Sequence, residues 1–128
     1  MITINERLTP QKIKIIEFLK GTTSHPTAED VYKNVKKSIP CISLGTVYRN
    51  LGQMAQRGQI RRLEVEGGFR YDADLSSHLH LVCKKCGSIS DMHDVRIFDF
   101  IKKKTNPGKF IAQGAEVTIF GICKNCKK

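Results

Sequence analysis

No stretch of this 128-residue sequence approaches the run of about 20 apolar residues that a membrane-spanning helix needs. Met1–Glu6 lack the basic start and apolar centre of a secretory signal, so the chain reads as cytoplasmic with no membrane partner. Repeats and low-complexity segments are absent too. Acidic residues are scarce: 12 Asp and Glu stand against 22 Lys and Arg, for a net charge of +10 and a pI near 9.6. The scarcity is local. Over the 33 residues from Val31 to Leu63 there is no carboxylate, while Lys33, Lys36, Lys37, Arg49, Arg57, Arg61 and Arg62 are all basic. A solvated basic face is one account of that run, and contact with a polyanion such as nucleic acid is the other.

What is present begins with the cysteines. Without an export signal, the five of them point away from disulfides. Four form two CxxC pairs, Cys83/Cys86 and Cys123/Cys126, and Cys41 stands alone as a helix-boundary residue. Each pair can turn two thiolates to one ion, and Gly87 suits the tight first knuckle. Together they make a closed four-thiolate set, the preference of structural zinc, with no open position for catalysis. An iron–sulfur or redox role is the alternative. The 36 residues between the pairs exceed a minimal zinc ribbon, so the site ties two ends of a domain together.

The first 57 residues read as three helices. Thr9-Pro10 opens one, with Ile13, Ile16 and Leu19 on its apolar side and Gly21 as its stop. Thr27 caps the next, with Glu29 and Asp30 in the first turn and Ala28, Val31, Tyr32 and Val35 at helical spacing. Ser43 caps the third, whose stripe is Val47, Leu51, Met54 and Ala55 and which Gly58 ends. Strands near Ile60–Val65 and Phe69–Asp72 follow, joined by Glu66-Gly67-Gly68. Three helices and a hairpin predict a winged helix whose third helix reads DNA through Thr46, Tyr48, Arg49, Asn50 and Gln53. A small helical bundle without a ligand is the plainer alternative.

Beyond Asp72, strands at His78–Val82 and Ser88–Met92, a helix over about Val95–Lys104 and a strand near Glu116–Gly121 make a small α/β unit. Thr105–Gly114 has no clear pattern, though Phe110-Ile111 suggests some strand. His78 and His80 are alternate residues of one strand, about 6.6 Å apart at Cα, so both can chelate one ion. An isolated HxH is also compatible with a surface pair. Asp72, Asp91 and His25 are candidate companions, and nitrogen and carboxylate donors suit Fe(II), Mn(II) or Zn(II). On the residues alone, His25 reads as a helix-opening residue as readily as a ligand.

Leu8-Thr9-Pro10-Gln11, His25-Pro26-Thr27-Ala28-Glu29, Ser43-Leu44-Gly45-Thr46-Val47-Tyr48-Arg49-Asn50-Leu51, His78-Leu79-His80-Leu81-Val82-Cys83, Cys86-Gly87 and Cys123-x-x-Cys126 occur in that order. This series resembles the ferric uptake regulator family over nearly the whole chain. The resemblance implies an α+β protein: a winged-helix DNA-binding domain (1–72), a hinge (73–77) and a small α/β dimerisation and metal-sensing domain (78–128) carrying a four-cysteine zinc site. It also implies a homodimer on palindromic duplex DNA, with regulatory Fe2+ or Mn2+ held by His25, Asp72, His78, His80 and Asp91. Aspartate at both 72 and 91 is similar to the peroxide-sensing branch, in which Fe(II)-driven oxidation strikes ligand histidines, here His25 and His78. Ser77, Leu79 and Ala115 stand where many members have a second site, and that site is not expected. Arg49 is the residue commoner in iron regulators, and the chain starts too near its first helix for a basic arm.

These observations predict a metal-dependent repressor that senses peroxide. The alternative within the family is a reversible iron, zinc or manganese uptake regulator. A zinc enzyme using His78 and His80 would leave the winged helix unexplained, so no enzyme is expected, and a duplex-reading helix argues against a zinc-ribbon RNA adaptor.

Overall fold

Thr9 starts the first helix by accepting a hydrogen bond from the Lys12 N–H, with Pro10 in the first turn where its missing N–H costs nothing. A computed structural model describes residues 9–65, 67–106, 108 and 110–127. The readings placed on Met1–Glu6, Leu8 and Glu66 lie outside the described residues. Helix α1 (Pro10–Lys20) ends at Gly21. Its buried face is Lys12, Ile15 and Leu19, whereas the sequence pattern assigned Ile13, Ile16 and Leu19. Ile13 is exposed and Ile16 half-buried. The observed set has i, i+3, i+7 spacing, which keeps one stripe, and a lysine stem can lie along apolar surface within such a stripe.

Helix α2 (Ala28–Val35) opens on a reciprocal cap: Thr27 accepts from the Asp30 N–H, and Asp30 accepts from the Thr27 N–H. Helix α3 (Leu44–Gln56) is capped by Ser43, which accepts from the Thr46 N–H at 3.1 Å. Ile15, Leu19, Val31, Val35, Val47, Leu51 and Met54 meet in one core. Each such buried side chain contributes about 1.5–3 kcal/mol relative to exposure. Strands β1 (Arg61–Val65) and β2 (Gly68–Asp72) pair antiparallel from Arg61↔Asp72 to Val65↔Gly68. Gly68 belongs to the strand, and among the described turn residues the positive φ falls on Gly67, at 82°. Three helices and this hairpin form a winged helix.

The chain divides into two compact units, Met1–Leu75 and Ser76–Lys128. In the second, β3 (Leu79–Cys83) lies between β4 (Ile89–Met92), antiparallel to it, and β5 (Val117–Gly121), parallel to it. The parallel pairing needs a crossover, which α4 (Val95–Thr105) supplies. Asp94 caps α4 and Lys102, Lys103 and Lys104 occupy its last turn, where cations suit the helix dipole. Phe110-Ile111 is not strand: residues 110–116 pair with no strand of the sheet, and both side chains are exposed. No helix among the described residues is long and apolar enough to cross a membrane.

Candidate functional site

Cys83 ends β3, and Gly87, at φ 76°, lets the chain turn so that its N–H returns to the Cys83 carbonyl at 2.9 Å. The second pair turns similarly, with the Cys126 N–H on the Cys123 carbonyl. The four sulfurs lie within 4.8 Å of one another, and the Cys86 and Cys123 sulfurs are 3.8 Å apart. A tetrahedron of thiolates about 2.3 Å from zinc has edges of about 3.8 Å, so the set fits that ion. The electrostatics agree. Backbone N–H groups of Cys123, at 3.3 Å, and Cys86, at 3.5 Å, point at the Cys83 sulfur and hold its thiol down to about 6. The Ser88 hydroxyl lowers Cys86 as well. Cys126, hydrogen-bonded to Cys123 and then Cys86, is pushed up to about 12. Crowded sulfurs resist successive ionisation, and a bound dication removes that conflict.

Strand pairing brings the nitrogen and carboxylate donors of the second unit together. His80 stands directly opposite Asp91 in the β3–β4 register. The Nε2 atoms of His78 and His80 are 3.0 Å apart, and Asp91 Oδ1 lies 3.7 and 3.5 Å from them. Adjacent octahedral nitrogens about 2.1 Å from a metal are separated by about 3.0 Å, so this imidazole pair is spaced to share one ion. His78 Nδ1 sits 2.7 Å from the Ser76 carbonyl. Donation there leaves the Nε2 lone pair available, the outer-partner arrangement common to metal-bound histidines.

In the first unit, His25 Nε2 lies 3.4 Å from Asp72 Oδ2 at the end of β2. His25 has a left-handed backbone, φ 53°, immediately before Pro26. The sequence-predicted ligands thus fall into two groups: His78, His80 and Asp91 in one unit, His25 and Asp72 in the other.

On α3, Thr46, Arg49, Asn50 and Gln53 share one face by helical spacing. Arg49 Nη2 donates to the Thr46 hydroxyl at 3.2 Å, and that hydroxyl is 2.9 Å from Ser43 Oγ. Tyr48 is turned aside: its hydroxyl donates to Glu29 of α2 at 2.7 Å. That bond keeps the Glu29 carboxyl below its ordinary range and raises the Tyr48 phenol. Cys41 is exposed and outside both donor groups.

Sequence reasoning passed over His93, whose ring centroid is 4.9 Å from that of His78. Its spacing of two from Asp91 was the available signal. It also passed over Glu29 as a partner of Tyr48 and over Arg70, which donates to the carbonyls of Ser24 and His25.

A sequence model of the ferric uptake regulator family matches residues 4–120. This chain belongs to the ferric uptake regulator family. Among members, it is similar to the peroxide operon regulator of Bacillus subtilis: 32% identical over 123 residues, covering 95% of this chain and 85% of that one. Similarity to the peroxide-responsive repressor PerR of Staphylococcus epidermidis is again 32%, covering 95% and 82%. Of solved structures, the peroxide stress regulator of Campylobacter jejuni matches with a TM-score of 0.79 at 31% identity, covering 91% of this chain and 89% of that one. The manganese-bound ferric uptake regulator of Pseudomonas aeruginosa matches with the same TM-score at 29% identity, covering 92% and 90%. The winged helix followed by a three-stranded α/β unit is therefore a fold shared with solved members of this family.

Proposed function

We propose that this chain is a homodimeric, metal-dependent transcriptional repressor that releases palindromic operator DNA when peroxide oxidises its histidine ligands. The observation that carries the reading is the His78–His80 pair, with Nε2 atoms 3.0 Å apart and Asp91 beside both. Three donors leave a six-coordinate ion incomplete, and His25 with Asp72 supplies two more of the same chemistry. His25, Asp72, His78, His80 and Asp91 would hold Fe(II), which would supply the redox chemistry that splits a peroxide O–O bond, one oxygen going to an imidazole carbon and the other leaving as water.

The residues do the rest. His78 and His80 present nitrogens, Asp91 and Asp72 balance the charge with short, constrained carboxylates, and His25 ties the DNA-reading domain to the set. An ion bound only when residues 73–77 bring both groups together favours that arrangement by its differential affinity, and losing a histidine releases it. Four cysteines hold a structural zinc. Phe110, Ile111, Phe120 and Ile122 are exposed apolar side chains on the second unit that a second copy would cover, which supports the homodimer. The reading helix presents Thr46, Arg49, Asn50 and Gln53 to base edges, with Tyr48 flanking. Similarity to named peroxide regulators supports the same reading.

Intact-protein mass spectrometry after peroxide exposure tests it. The Fe(II)-loaded protein gains one oxygen atom per chain, mapped to His25 or His78, and loses operator binding. The Mn(II)-loaded protein binds DNA and gains none, and Asp91→Ala with Fe(II) gains none. Equal responses with Fe(II) and Mn(II), or oxidation confined to cysteines, would replace peroxide sensing with reversible metal-uptake regulation.

A further inference from the structure

The loop that delivers His25 is fastened to β2 at three consecutive carbonyls. Arg70 donates through Nη2 to the Ser24 oxygen at 3.1 Å and through Nε to the His25 oxygen. The Tyr71 N–H donates to the Pro26 oxygen at 3.0 Å. Arg70 and Asp72 are two apart on β2, so both side chains leave the same face of the strand. One takes the loop's backbone and the other faces its imidazole, 3.4 Å from Nε2.

The loop needs such a fastening. His25 has φ 53°, in a region that non-glycine residues seldom occupy, and it precedes a proline that restricts it further. A relaxed φ would swing the imidazole away from Asp72. Only a planar guanidinium offers two N–H donors in a rigid fork suited to neighbouring carbonyls.

Resting on the regulatory-metal reading above, we propose that Arg70 is a positioning residue for that metal. It touches no ion; it fixes the backbone from which His25 becomes a ligand. Because β2 is also the second strand of the wing, the same side chain makes the ligand's position depend on an intact wing.

The test is Mn(II) affinity of the full-length, zinc-loaded protein, alongside its zinc content and metal-free thermal midpoint. Arg70→Ala should weaken Mn(II) binding about 10–100-fold, the usual cost of losing a ligand's outer support, with zinc retained. Arg70→Lys, which reaches one carbonyl at a time, should fall between Ala and wild type, and it decides the matter if Arg70→Ala loses zinc or fails to fold. A double-mutant cycle separates positioning from a structural role: in a His25→Ala background, Arg70→Ala should cost nothing further. If His25→Ala weakens binding and Arg70→Ala or Arg70→Lys does not, the Arg70 inference is overturned alone. An undiminished Arg70 effect without His25 also overturns it. If His25→Ala leaves Mn(II) affinity unchanged, the regulatory-site reading falls and takes this inference with it.

Discussion

His78 turns its Nδ1 edge to the Ser76 carbonyl, 2.7 Å away, and its Nε2 edge to His80, 3.0 Å away. One ring edge lies against backbone, which leaves the Nε2 edge beside His80 to face a metal. That division of labour makes the pair sensitive to substitutions that keep ring size but move the nitrogen.

His78→Ala, His80→Ala and Asp91→Ala should each abolish Mn(II)-dependent operator binding while the zinc remains. The loss in Mn(II) affinity should exceed the about 10–100-fold expected for removing an outer partner only. Isothermal titration with Mn(II) and a gel shift on the same samples would show it. A variant that keeps wild-type Mn(II) affinity removes its residue from the ligand set.

Cys83→Ser and Cys123→Ser should lose zinc and the folded second unit together, because a structural site's binding energy is folding energy. Prolonged chelation of the wild type should do the same. Zinc analysis beside circular-dichroism melting checks this, and a zinc-free protein that melts at the same temperature refutes it.

Arg49→Ala should reduce discrimination between operator and unrelated duplex by about 1–3 kcal/mol, since a base-edge contact distinguishes sequences. Lys36→Ala should weaken all duplexes alike and lower the salt-dependence slope by about one. Competition binding across a salt series separates the two. Unchanged specificity in Arg49→Ala would mean that α3 is not the reader.

The Tyr48–Glu29 bond gives a pH signature. Tyr48 is the chief cause of Glu29's lowered carboxyl value. Tyr48→Phe should therefore move the Glu29 titration upward, readable by carboxyl-carbon NMR. A depressed acid contributes stability that is complete above its ordinary range, about 4.3, and fades as pH falls through the folded value. The variant should be less stable than wild type at neutral pH and equal to it once Glu29 is protonated.

The caps and stripes of α2 and α3 were legible because Thr27, Asp30, Ser43 and their apolar stripes act locally. The orientation of α1 was less so: Lys12 reads as polar, yet tertiary packing takes up its stem in place of Ile13. The two CxxC pairs announced their cluster by spacing alone. His78, His80 and Asp91 were candidates from strand alternation, but the β3–β4 register that sets His80 opposite Asp91 had to be seen. Arg70's hold on Ser24 and His25 spans 46 and 45 positions respectively and follows from no local pattern.

The parallel register of β3 and β5 sets Cys83 beside Gly121, with Cys123 two residues further along. A slip of one residue would displace the second cysteine pair by about 3.3 Å and turn β5's alternating side chains to the opposite faces. Four sulfurs then no longer meet around one point. A zinc ion held by all four would thus act as an inspector of alignment, rewarding only the correctly threaded sheet. Chains starved of metal during synthesis should populate misregistered β5 pairings, and zinc added later would have to wait for those strands to separate.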